Sequence, residues 1–94
     1  MNENVKLNLI DGNFSDEEAR EILMAIFSSK INFHELKNFS SQDRFGKNDA
    51  IAQKRIGELK ISLEIIKEMI AEAKKTNKRL IISSDINLKL SDSL

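Results

Sequence analysis

Apolar and polar residues alternate along Val5-Lys6-Leu7-Asn8-Leu9-Ile10, the pattern of a strand with one buried face. Asp11-Gly12-Asn13 follows as a turn signal. The period then lengthens to that of a helix. Ser15 with Glu18 three residues later spells a capping box, and Phe14 stands where it can staple against Ala19. Ala19, Ile22, Leu23, Ile26 and Phe27 recur at the spacing of one helical face, with acids crowding the first turn as the helix dipole prefers. These positions predict a short amphipathic helix over about 15-28.

A second, longer helix is predicted over about 49-76. Ala52, Ile56, Leu59, Leu63, Ile66, Ile70 and Ala73 recur at alternating steps of four and three, a heptad seam of the coiled-coil kind. Ile61, Ile65 and Met69 form another apolar line at i, i+4, i+8, so this helix has two greasy sides and the means to touch two partners. Gly57 reads as a residue of the seam, where it marks close helix packing or a tolerated weakness. Lys74, Lys75, Lys78 and Arg79 gather at the helix end, with Asn77 as a left-handed cap. Beyond them Leu80, Ile82, Ser84, Ile86, Leu88 and Leu90 alternate with Ile81, Ser83, Asp85, Asn87 and Lys89, a long strand with a bend or bulge expected at Ser83-Ser84-Asp85.

The stretch between the helices, FHELKNFSSQDRFGK from Phe33 to Lys47, follows neither period. It reads as an irregular connector in which Phe33, Leu36, Phe39 and Phe45 anchor to the core; Ile31-Asn32-Phe33 is either loop or a third strand. The expected class is therefore α+β, a small two- or three-stranded sheet packed on a two-helix hairpin, in the order β-α-(β/loop)-α-β. One domain spans 1-94, with 1-4 and 91-94 frayed. On this reading a first strand of six residues leaves about half of its longer partner unpaired. That mismatch and the two-sided helix together predict a homodimer.

Composition, 40% hydrophobic and 32% charged, is that of a folded chain, and no apolar run approaches the roughly 18 residues of a membrane span. The chain has no cysteine, which removes disulfides, thiolate metal sites and cysteine nucleophiles. The N-terminus lacks the plan of a secretory signal, so the cytoplasm is the expected compartment. Lys+Arg and Asp+Glu both total 15, and a neutral chain gives no default attraction to nucleic acid or acidic membrane. The charge is nonetheless uneven, because Glu3, Asp11, Asp16, Glu17, Glu18 and Glu21 face only Lys6 and Arg20 within residues 1-29. Bases then outnumber acids over residues 30-60.

Candidate chemistry is thin. His34, the single histidine, has Glu35, Ser40, Ser41 and Asp43 near it in sequence, but no nucleophile turn surrounds either serine, and a packing or hydrogen-bonding role is the expectation. One histidine and no cysteine leave only carboxylate metal sites. Asp11-Gly12-Asn13 and Asp85-Ile86-Asn87 fall short of a calcium loop, so neither metal nor cofactor is expected. Gly46-Lys47-Asn48 lacks the rest of a phosphate loop and reads as a loop glycine before an Asn N-cap. Arg44, Lys47, Lys54 and Arg55, with Phe39 and Phe45 among them, combine cations and rings as single-strand binders do.

The function expected from these features is that of a small cytoplasmic interaction or adaptor protein, working as a homo-oligomer without catalysis. Ile61, Ile65 and Met69 are its candidate partner-binding residues. The alternative is a nucleic-acid-binding module using the basic connector from Arg44 to Arg55.

Overall fold

The computed structural model describes residues 4–92. Two strands, β1 (Asn4–Phe14) and β2 (Leu80–Lys89), pair antiparallel, and between them in sequence stand two helices, α1 (Asp16–Phe45) and α2 (Ala50–Lys75). The order β-α-α-β is that of an α+β fold with a helical hairpin and a two-stranded sheet. Of the end segments 1-4 and 91-94, residues 1–3 and 93–94 lie outside the described residues. Asn4 pairs with Lys89 at the start of β1.

Ser15 separates β1 from α1, and the capping box is complete: its hydroxyl accepts from the Glu18 amide at 3.1 Å while its own amide donates to Glu18 Oε1 at 2.9 Å. The predicted stripe faces inward, with Ala19 buried and Ile22, Leu23, Ile26 and Phe27 half-buried. The helix does not stop near residue 28, however. It continues to Phe45, so the connector is helical and Ile31-Asn32-Phe33 is not a strand. The reason lies in the face turned toward α2, which continues at the same spacing through Ile31, His34, Asn38 and Ser41, all half-buried. Three of these four are polar, so a pattern of apolar residues alone breaks off where the helix does not. Gly46 ends α1 with a positive φ of 68°, a conformation that costs a side-chain-bearing residue energy.

The loop to α2 is held by side chains. The Asp49 amide donates to Asn38 Oδ1 at 2.7 Å, Ser41 Oγ donates to the Lys47 carbonyl at 3.0 Å, and the amides of Asn38 and Gln42 both donate to Asn48 Oδ1. The N-cap of α2 is therefore Asp49, which accepts from the Ala52 amide at 3.0 Å, and not the expected Asn48. Every residue of the predicted seam from Ala52 to Ala73 is buried or half-buried. Gly57 lies outside that seam on the exposed side, where an added Cβ would meet nothing within 4 Å. At the other end Asn77 is left-handed, with φ 55°, and its amide and that of Lys78 donate to the Lys74 and Ala73 carbonyls. This is a Schellman ending.

β1 runs straight through Asp11-Gly12-Asn13, which is not a turn. The Phe14 ring lies over Gly12, so close that a Cβ there would stand 2.9 Å from Phe14 Cζ. Glycine is thus a strand residue making room for a ring. The strands have 11 and 10 residues and pair from Asn4–Lys89 to Phe14–Leu80. The length mismatch does not exist, and that reason for expecting a dimer falls with it. One irregularity interrupts the ladder between Asn8 and Ile10, opposite Ser84 and Asp85. The extra residue belongs to β1, not to the Ser83-Ser84-Asp85 stretch of β2.

The sheet packs on the hairpin only near its base, where Phe14, Ile82 and Leu80 meet Ala19, Ile66, Ile70 and Ala73. From there the ribbon projects. The molecule extends over 50 × 40 × 15 Å with a radius of gyration of 16.9 Å, whereas a compact domain of this length measures about 12 Å.

Candidate functional site

The two sides of α2 have different fates. Its seam faces α1, and its second line, Ile61, Ile65 and Met69, points into solvent with 66%, 60% and 66% of these residues exposed. Spacing by four keeps the three side chains on one strip, about 12 Å long at the helical rise. Met69 also borders an open cleft of about 610 Å³ at the ribbon base, which it lines with Leu23, Ala73, Leu80, Ile81 and Ile82. The line therefore runs into an apolar hollow beside the sheet.

Phe33, Leu36 and Phe39, expected to anchor a connector to the core, do the reverse. They step by three along the face of α1 that is turned from α2, more than half exposed, and Phe45 is exposed as well. The anchoring falls instead to the polar residues Asn38 and Ser41, which hydrogen-bond the loop.

A further surface was not singled out from the sequence. Val5 faces Leu88 across the ladder and Leu7 faces Ile86, so these four share one face of the ribbon with Phe14, Leu80 and Ile82. At the base that face is covered by the hairpin; at the far end the four residues are 40–53% exposed. Alternation correctly signals a face in need of cover. It does not tell that the cover ends halfway along the strand.

The cations of the alternative reading lie on the elements that form the hairpin tip. Arg44 sits in the last turn of α1, Lys47 in the loop, and Lys54 and Arg55 in the first turns of α2, all exposed. Arg55 is paired with Glu58 at 3.0 Å, and Asp43 and Asp49 lie among the rest. His34 meets the Phe33 ring edge-on at 5.3 Å. Ser41 shares its side of the helix but stands two turns away, about 10 Å along the axis. Glu35, Ser40 and Asp43 leave the helix in other directions, so no catalytic set assembles around the imidazole.

Among the described residues no three His, Asp or Glu side chains gather as for a metal ion, and no helix is long and apolar enough to cross a membrane. Among the described residues one carboxylate is perturbed. The backbone and side-chain hydrogen bonds of Ser15, with Arg79 3.6 Å away, hold Glu18 below the ordinary carboxylate range. Comparison with family models, with curated proteins and with solved structures finds no match.

Proposed function

We propose that this chain is a small cytoplasmic interaction protein that works as a homodimer and acts by binding, not by catalysis. One observation carries the reading. Among the described residues seven apolar side chains are buried, while fifteen large apolar residues are exposed. A chain of this size has little core to spare, and an elongated one has less. Unmatched apolar surface on this scale marks an interface. The line Ile61-Ile65-Met69 is the part of it built on the most regular element, and helical rows of this kind dock against a partner's apolar surface.

Sedimentation equilibrium at micromolar concentration tests the reading. The expected mass is that of two chains, with Ile65→Lys shifted toward one. A strict monomer, with Ile65→Lys equally stable and soluble, would overturn it.

A second reading is favoured by Arg44, Lys47, Lys54 and Arg55 on the elements that form the tip, which also carry the exposed Phe39 and Phe45 rings. On that reading the tip contacts the backbone and bases of single-stranded nucleic acid. It predicts a salt-sensitive shift of labelled oligonucleotides that is lost in Arg44→Glu/Lys47→Glu while folding is unchanged. No shift at low salt removes it.

A further inference from the structure

Two apolar surfaces that no other described residues cover stand on different elements of this chain, and each lacks what the other supplies. The far half of the ribbon carries Val5, Leu7, Ile86 and Leu88 on the face that its near half buries against helices. An antiparallel pair of strands with nothing on its apolar face is marginal in water. Its near half shows what suits it, since Phe14, Leu80 and Ile82 rest on helical residues. The outer line of α2 is the matching kind of surface, a helical row of apolar side chains with no sheet on it.

We infer that the two surfaces are halves of one contact made between two copies of the chain, the ribbon of each lying across the Ile61-Ile65-Met69 line of the other. This rests on the homodimer reading and specifies its geometry. Three observations favour a second copy as occupant and exchange as its form. The first is area. The four ribbon residues expose together no more than a few hundred Å², short of the roughly 800 Å² that each partner gives to a standard interface. Ribbon against ribbon, or α2 against α2, uses one patch per copy, while exchange about a two-fold axis uses both patches of both copies.

The second is shape. In a flat molecule of 50 × 40 × 15 Å the ribbon leaves the hairpin as an arm. Met69 lines the cleft at the arm's base, so the α2 line runs into the angle between arm and hairpin. Two such bodies clasp, each arm filling the other's angle. The third is charge. With equal numbers of acids and bases, two copies meet without net repulsion.

The absence of cysteine makes the test direct. Leu88→Cys chains and chains carrying Ile61→Cys, Ile65→Cys or Met69→Cys are refolded separately and as mixtures, then treated with a short bifunctional maleimide. The expected result is a cross-linked pair in the mixtures that is lost when either chain is treated alone, with sedimentation showing two-chain particles in every sample. Cross-linking of Leu88→Cys to itself would mean ribbon on ribbon and overturn exchange, as would cross-linking confined to the α2 variants by themselves. In both cases the dimer reading survives. Particles of one chain would overturn both, and a ladder of growing oligomers would overturn the closed two-fold form.

Discussion

Glu18 is the residue whose ionisation the fold uses. The Ser15 hydrogen bonds lower its pKa below that of the unfolded chain, so the folded state binds its proton less readily and the carboxylate form stabilises α1. That contribution is present in full above the unfolded value and is lost as pH falls through the folded one. Thermal unfolding of the protein and of Glu18→Gln should therefore differ at neutral pH and converge in acid; a constant difference would place the effect of Glu18 elsewhere. Gly57 is the opposite case, a residue whose reason is not in the fold. Nothing stands within 4 Å of where its Cβ would be, and its backbone is helical. Gly57→Ala should then stabilise by about 0.5–1 kcal/mol in denaturant titration.

Between residues and molecule lies the puzzle of α1, a helix half of which the apolar pattern fails to show. Its first half is legible because Ala19, Ile22, Leu23, Ile26 and Phe27 bury hydrocarbon. Its second half keeps the same face inward but fills it with His34, Asn38 and Ser41, the last two of which join the loop by hydrogen bonds. Phe33, Leu36 and Phe39 of that half point away, so a reading that sends every phenylalanine inward assigns the wrong face. Asn38 holds the turn together, accepting from the Asp49 amide at the start of α2. Asn38→Ala should cost about 1–2 kcal/mol by chemical denaturation, with α-helical circular dichroism retained in the native state. A neutral substitution would show that Gly46 and the Asp49 cap suffice by themselves. The strands teach a related lesson. Asp11-Gly12-Asn13 has turn composition, yet Gly12 lies under Phe14 and the chain stays extended because ten residues of β2 are there to pair with.

At the scale of the molecule the decisive quantity is the mismatch between core and surface. Among the described residues seven buried apolar side chains, four of them clustered at the ribbon base, hold a molecule that extends over 50 × 40 × 15 Å, and the four ion pairs, all with exposed side chains, add little. If two chains fold as one unit, unfolding releases two particles and stability depends on concentration. The midpoint of thermal unfolding should rise by about 3–4 °C for each tenfold increase in protein. A midpoint independent of concentration would describe a chain that is stable alone.

What the sequence by itself determined are the features encoded within a few residues of one another. The capping box at Ser15, the left-handed cap at Asn77, the seam of α2 and the alternation of β2 are all as read, because each depends on local geometry that the chain carries with it. What only the tertiary structure decided is which of two apolar surfaces a given element buries. Ile56 and Ile61 are the same residue on the same helix, and Phe14 and Phe39 are the same ring; partial burial of one and exposure of the other follow from where α1 and the ribbon base come to lie. Hydrophobicity fixes that a face must be covered, and the covering element is chosen by contacts distant in sequence. For the far ribbon and the outer line of α2, no contact among the described residues makes that choice.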